Sequence, residues 1–176
     1  MALSWSHTVL QAKDMARMLA FYETMLGFEE TDAGEIPGGR RIHFMSQQPA
    51  EHHQIAFVDT RADDGPPNSL AHIAFRVDAM AELRALIGRL EAAGLDYRPT
   101  SHGNTWSVYF QDPEQNGVEV FCDTPFHVRQ PQGQAWDVTL PDAELHAWTV
   151  ETFKAEPEFG PREAYVARRE KELAGE

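Results

Sequence analysis

The chain has 176 residues, 42% of them hydrophobic and 24% charged, which is typical of one globular domain with a substantial core. Its formal net charge of -13 argues against non-specific binding to nucleic acids or anionic membranes. A single cysteine excludes an internal disulfide framework, and we find neither a secretory signal nor an apolar segment long enough for a bilayer. We therefore expect a soluble protein of the reducing cytoplasm, without nucleic-acid or membrane partners.

The first part of the sequence predicts a strand, a helix and three further strands. The first strand is expected over residues 5–11. Asp14 is a candidate helix N-cap, and Gly27 supplies a stop. Between them, apolar side chains recur at helical spacing, namely Met15, Met18, Leu19, Tyr22 and Leu26. Three more strands are predicted over residues 28–31, 40–45 and 51–58.

After a polar linker at 59–69, the same order of elements is predicted again. A strand at 70–77 leads to Asp78 as a candidate N-cap, then to a helical stripe that Gly94 ends. The stripe consists of Met80, Leu83, Leu86, Ile87 and Leu90. Strands follow at 95–98, 104–111 and 117–123, the last two joined by the turn sequence D-P-E-Q-N-G. We interpret modules 4–58 and 69–124 as an internal duplication within a domain of residues 1–140.

The sequence changes character at Pro141 and predicts a helical extension over 141–176. Asp142 is a candidate cap for a first helix, and a charged second helix is expected from Arg162 to Leu173. We favour helices that cover the sheet, and the alternative is that they shield the site or form a dimer contact.

Three residues suggest a metal centre. His7 and His72 occupy equivalent places in the first strands of the two modules, and Glu119 lies in an apolar strand between two valines. An unpaired buried carboxylate is costly, so Glu119 needs a cation, donors or a metal. Two imidazoles and one carboxylate form the facial triad that suits non-haem Fe(II). His43, His127 and His146 have no other candidate site residues near them in the sequence, and we treat them as structural or surface residues. Cys122 is expected to be a small buried hydrophobe.

Residues 102–123 carry a resemblance to a known family. His102, Val108-Tyr109, Asp112-Pro113 and Glu119 follow the order of the extradiol ring-cleavage signature. Gln115 departs from that signature, which has Gly or Pro there, and this puts the turn shape in question. With H-H-Q-I-A-F at 52–57 and the doubled strand-helix-three-strand pattern, the chain resembles the vicinal oxygen chelate superfamily of glyoxalases, bleomycin resistance proteins and extradiol dioxygenases. It is most similar to the single-domain type I extradiol enzymes.

The resemblance implies an α+β fold in which two βαβββ modules form a half-barrel, followed by C-terminal helices. It also implies an Fe(II)-dependent dioxygenase that uses O2 to cleave a catechol-type substrate next to the diol, with Mn(II) as the other candidate metal. The implied metal ligands are His7, His72 and Glu119, and the implied catalytic residues are His53, His102 and Tyr109. Asn104, His52 and Ala56 are assigned to the substrate pocket. The family also suggests a homodimer.

Two alternatives stay open from the sequence. Glyoxalase-like members carry a fourth metal ligand where this chain has Ala56, so another metal-dependent lyase, isomerase or thiol transferase is less favoured. His52 or His53 would then have to serve as the fourth ligand, which an irregular strand start would permit. The second alternative is a resistance protein that binds a small molecule in a hydrophobic cleft without catalysis.

Overall fold

The computed structural model describes residues 4–66 and 69–175, which form two compact units. The first unit contains Met1–Ala71 together with Gln111–Asn116, and the second contains His72–Phe110 together with Gly117–Glu176. None of the helices formed by the described residues has the length and apolar character that a membrane span requires.

The first unit is built on a four-stranded sheet. Its elements are β1 (Thr8–Gln11), α1 (Met15–Phe21), a π-helical segment (Tyr22–Leu26), β2 (Glu29–Ile36), β3 (Arg40–Ser46) and β4 (Ile55–Val58). The strand order is β1-β4-β3-β2, with β1 parallel to β4 and the other pairs antiparallel. Its fully buried core includes Met18, Tyr22, Met45, Ile55 and Phe57.

Local sequence signals set both ends of the first helix. The Asp14 side chain accepts a hydrogen bond from the Arg17 backbone N–H, which satisfies one of the free donors at the helix N-terminus. Gly27 ends the π-helical segment with φ of +79°, a left-handed conformation that glycine adopts without strain. The predicted cap and stop are therefore confirmed.

The second unit repeats the pattern. It contains β5 (Ile73–Val77), α2 (Met80–Ala92), β6 (Tyr97–Ser101), β7 (Thr105–Gln111) and β8 (Gly117–Asp123), in the sheet order β5-β8-β7-β6. Strands β5 and β8 are parallel, as β1 and β4 are in the first unit. The predicted stripe of α2 is buried. The fold class predicted from the sequence, α+β with two βαβββ modules, is confirmed.

The C-terminal residues belong to the second unit and comprise β9 (Phe126–His127), α3 (Asp142–Phe153), β10 (Gly160–Pro161) and α4 (Arg162–Ala174). Helix α3 packs on β7, since the buried Thr149 hydroxyl accepts a hydrogen bond from Trp106 Nε1 at 2.9 Å. No residue of helix α4 is fully buried. A domain boundary at residue 140 stays a prediction.

Two predicted helix caps are wrong. At α2 the cap residue is Ala79, and Glu82 reaches back to accept from the backbone N–H groups of Asp78 and Ala79 at 3.1 and 3.0 Å. Asp78 is therefore one residue too early, because Glu82 already satisfies these donors. At α3 the cap is Pro141, and Asp142 lies inside the first turn, where its charge suits the positive end of the helix.

Several predicted strand bounds are also wrong. Strands β1, β4 and β5 begin three or four residues later than predicted, at Thr8, Ile55 and Ile73. The β1–β4 ladder begins at the pair Thr8–Ile55, so the residues before it lie outside the sheet. β2 is longer than predicted because it pairs with the whole of β3, and β6 begins at Tyr97 rather than Leu95 because its ladder with β7 begins there.

We predict that Gly103→Ala lowers the free energy of unfolding by about 2–4 kcal/mol. Gly103 has φ of +78°, and a Cβ atom there would lie 2.5 Å from Val128 Cγ1 and 3.3 Å from Phe153 Cγ. The matched control is Gly133→Ala, because the nearest atom to its added Cβ is Thr100 Cγ2 at 3.9 Å. Urea denaturation measures both variants, and equal midpoints would contradict the close packing at Gly103.

Candidate functional site

The first unit gathers three of the predicted site residues at the ends of its strands. His7 lies just before β1, and His52 and His53 lie just before β4. The His7 and His53 ring centroids are 4.3 Å apart, and Nδ1 of His52 lies 2.9 Å from Nδ1 of His53. Phe44 packs against His53 with a centroid distance of 4.9 Å. The irregular approach to β4 thus brings both His52 and His53 into one histidine-rich cluster.

The environment of His53 favours its neutral form. Burial lowers the pKa of His53, and the neighbouring rings of His7 and His52 lower it further. A neutral imidazole at physiological pH can accept a proton, as a general base requires.

The second unit brings together four further residues predicted for the site, namely His72, His102, Tyr109 and Glu119. Glu119 in β8 is 7% exposed, between the buried Val118 and Val120. Its Oε2 lies 3.2 Å from His72 Nε2, and its Oε1 accepts a hydrogen bond from the Tyr109 hydroxyl at 2.7 Å. The carboxylate within the apolar strand is therefore surrounded by specific polar partners, as its burial requires.

His102 extends this set of contacts. Its Nε2 lies 2.8 Å from the Tyr109 hydroxyl, and its Nδ1 bonds to the backbone carbonyl of Gln132. Because a carbonyl only accepts, Nδ1 must carry a proton. The four residues His72, Glu119, Tyr109 and His102 thus form a continuous series of polar contacts, which we name the Glu119 network.

Tyr109 is held in its protonated form. Burial raises the pKa of Tyr109 well above its ordinary value, and the hydrogen bond to Glu119 raises it further. The guanidinium of Arg98 lies over the tyrosine ring, 4.7 Å from its centroid. Tyr109 therefore remains a hydrogen-bond donor across the ordinary pH range.

The residues predicted to line the pocket have different environments. Ala56 is fully buried in β4 and offers only a methyl group. Asn104 is half-buried in the turn between β6 and β7, and its Oδ1 accepts from Gln130 Nε2 at 3.3 Å.

The donor chemistry of the predicted metal site fits a divalent first-row ion. His72 and Glu119 supply two donors within the second unit, and His7 belongs to the first. Imidazole and carboxylate together suit Fe(II) or Mn(II). Across residues 4–66 and 69–175, no group of three or more His, Cys, Asp or Glu side chains is placed to hold a metal ion. The three-ligand set therefore rests on the sequence.

Two contacts in this region were missed from the sequence. The Gln132 carbonyl that bonds His102 is a backbone group, which no residue pattern reveals. Gln130, which bonds the same turn, lies in the polar stretch Q-P-Q-G-Q, where nothing distinguishes one glutamine from another.

Comparison with known proteins agrees with this fold. Residues 4–120 match the model of the Glyoxalase/Bleomycin resistance protein/Dioxygenase superfamily, and the chain belongs to that superfamily. It is 28% identical over 177 aligned positions to biphenyl-2,3-diol 1,2-dioxygenase 2 of Rhodococcus globerulus, covering 84% of this chain and 90% of that one.

Solved structures support the same fold. A glyoxalase/bleomycin resistance protein/dioxygenase domain from Frankia sp. EAN1pec aligns with a TM-score of 0.59 at 23% identity, over 70% of this chain and 100% of that one. The fosfomycin resistance protein FosX from Mesorhizobium loti aligns with a TM-score of 0.53 at 26% identity, over 68% and 91% of the two chains.

We predict that Tyr109→Phe lowers the free energy of unfolding by about 1–2 kcal/mol, because the buried Glu119 loses a donor. The control is Tyr97→Phe, which removes a hydrogen bond to the exposed Glu91 and is expected to cost at most about 0.5 kcal/mol. Denaturant titration of both variants measures the difference. If Tyr109→Phe were no less stable than Tyr97→Phe, Glu119 would not depend on the tyrosine.

Proposed function

We propose that this protein is an Fe(II)-dependent extradiol dioxygenase acting on a catechol-type substrate. In this reaction both atoms of O2 enter the substrate, and the ring carbon–carbon bond next to the diol breaks to give a muconic semialdehyde-type product. The observation that carries the proposal is the hydrogen-bonded series His102–Tyr109–Glu119, which links the hallmark residues of the ring-cleavage signature. The similarity to a biphenyl-2,3-diol dioxygenase over 90% of that protein adds support.

His7, His72 and Glu119 would hold the metal. When bound, Fe(II) supplies the Lewis-acid and electron-transfer chemistry that joins the diol to O2. Three protein ligands would suit this chemistry, because a two-histidine, one-carboxylate set leaves positions open for substrate and O2. Ala56 supports the assignment, since its buried methyl group offers no fourth ligand.

His53 is the proposed acid/base residue. Its lowered pKa favours the neutral imidazole, which can take a proton from a catechol hydroxyl and later return it. The proton would move at Nε2, because Nδ1 is engaged by His52. Phe44 limits the freedom of the ring by packing against it, which favours a fixed orientation.

Tyr109 and His102 are the proposed hydrogen-bonding residues. Because its pKa is raised, Tyr109 keeps its proton, which it donates to Glu119 in the metal-free protein. If Glu119 bound a metal instead, this proton would become available to a substrate oxygen that gains negative charge. His102 would support ring cleavage by orienting the tyrosine through Nε2, which lies 2.8 Å from its hydroxyl.

A second candidate function is a different metal-dependent reaction of this superfamily, such as that of fosfomycin resistance proteins. The 26% identity to the Mesorhizobium loti protein favours keeping it. The absence of a fourth ligand at Ala56 counts against it. Inactivity towards catechols combined with activity towards fosfomycin would replace the dioxygenase proposal with this one.

We predict that anaerobically Fe(II)-loaded protein consumes O2 when mixed with catechol or biphenyl-2,3-diol. A yellow ring-opened product should form with one O2 consumed per product, because both oxygen atoms enter the substrate. An oxygen electrode and the visible spectrum, recorded together, measure this ratio. Metal-free protein is the control, and failure of the loaded protein to consume O2 with any diol of a broad panel would contradict the proposal.

We predict that His53→Gln lowers kcat by about 10²–10⁴-fold, the usual contribution of a general acid/base. Fe(II) content should stay unchanged, because His53 is not a proposed ligand. The control is His43→Gln, which alters a histidine bonded to Glu30 and should leave turnover unchanged. Steady-state kinetics with the best diol measures both, and full turnover by His53→Gln would remove its assigned role.

A further inference from the structure

Residues 128–134, which we name the strap, pack against the turn that carries His102. Ser101 and Gln134 exchange two backbone hydrogen bonds of 2.7 and 2.9 Å. Val128 is fully buried against Gly103, so closely that glycine has no room for a Cβ atom. The strap lies beyond residue 120, where the match to the superfamily model ends. It is therefore a feature that the family pattern does not describe.

Gln130 holds the strap and the turn together through both ends of its amide. Its Nε2 donates to the His102 carbonyl at 2.8 Å, and to Asn104 Oδ1 and the Val128 carbonyl at 3.3 Å each. Its Oε1 accepts from the Gln132 backbone N–H at 2.9 Å. All partners of Nε2 are acceptors and the partner of Oε1 is a donor, which fixes the orientation of the amide.

The peptide that Gln130 bonds is adjacent to the one that fixes the His102 ring. The Gln132 N–H is bonded to Gln130, and the carbonyl of the same Gln132 accepts from His102 Nδ1. A proton held at Nδ1 leaves Nε2 directed at the Tyr109 hydroxyl, 2.8 Å away. If the strap shifted, the ring would lose its only backbone acceptor among these contacts and could rotate away from the tyrosine.

We infer that Gln130 is a positioning residue, which holds the Gln132 carbonyl against His102 and so fixes the proton at Nδ1 and the orientation of the ring. Gln130 acts through His102 and not on the substrate. The effect on catalysis rests on the proposed function, because it requires that His102 act in ring cleavage. The effect on the ring itself does not, and it can be measured without metal or substrate.

The test is solvent exchange of the His102 Nδ1 proton, observed by ¹⁵N-edited NMR of the metal-free protein and assigned by its loss in His102→Gln. We expect exchange at least about tenfold faster in Gln130→Ala, because opening of the hydrogen bond controls exchange. The matched control is Gln134→Ala, which removes an exposed glutamine side chain from the same strap and keeps the backbone hydrogen bonds to Ser101. Its exchange rate should equal that of the wild type. Equal rates in Gln130→Ala and the wild type would overturn the inference.

Kinetics of the Fe(II)-loaded variants form the second readout. Gln130→Ala should lower kcat by about 10-fold with little change in KM, as expected when a supporting hydrogen bond is lost. Gln130→Glu keeps the acceptor for the Gln132 N–H but removes the donor to the His102 carbonyl. In this variant too, the His102 Nδ1 proton should exchange with solvent faster than in the wild type. Faster exchange in a protein that cleaves no catechol would refute the proposed function and leave the positioning role standing. Normal exchange in an active Gln130→Ala enzyme would refute the positioning role alone.

Discussion

The polar side chains of the second unit are arranged around one buried carboxylate, which is stable only with hydrogen-bonding or charged partners. Glu119 lies at 7% exposure in β8, in a strand whose neighbouring valines are buried. A charge in that position is unfavourable without partners, and each of its oxygens has one. His72 lies against one oxygen and Tyr109 against the other, and His102 and the Gln132 carbonyl continue the series. This region of the unit is thus a set of groups whose positions depend on one another.

The duplicated topology explains where the histidines lie. In each module the first and last strands run parallel and adjacent, and a histidine immediately precedes the first strand. His7 and His72 therefore occupy equivalent places at strand ends, where side chains are free of the ladder and can reach a ligand. In the first module the last strand begins after His52 and His53, whereas in the second it carries Glu119. The first module thus presents imidazoles near its strand ends, and the second module presents the Glu119 network.

Much of this could be predicted from the sequence, because the signals were local. The β7–β8 hairpin follows from the turn residues between Asp112 and Gly117. Gln115 adopts φ of 66° in that turn, a left-handed conformation that glycine takes with less strain. The strands next to the histidines were predicted too long, because their starts depend on pairing with a distant strand. The cap at Asp78 failed for a similar reason, since Glu82 competes for the same donors.

The remaining contacts of the site could not be predicted from local sequence patterns. A backbone carbonyl such as that of Gln132 carries no residue signature, and the role of Gln130 depends on a strap that reaches back to an earlier turn. The structure brings His102, Tyr109 and Glu119 together, because their spacing around a hairpin determines which side chains can meet, and their roles stay a prediction. The ligand set His7, His72 and Glu119 stays a prediction.

Anaerobic titration of the purified protein with Fe(II) is the decisive measurement of the proposed metal centre. We expect one tightly bound Fe(II) per chain. This binding should be lost in each of His7→Ala, His72→Ala and Glu119→Ala, while His43→Ala should bind like the wild type. Tight binding that survives all three substitutions, or no binding by the wild type, would contradict the proposed metal centre and with it the dioxygenase.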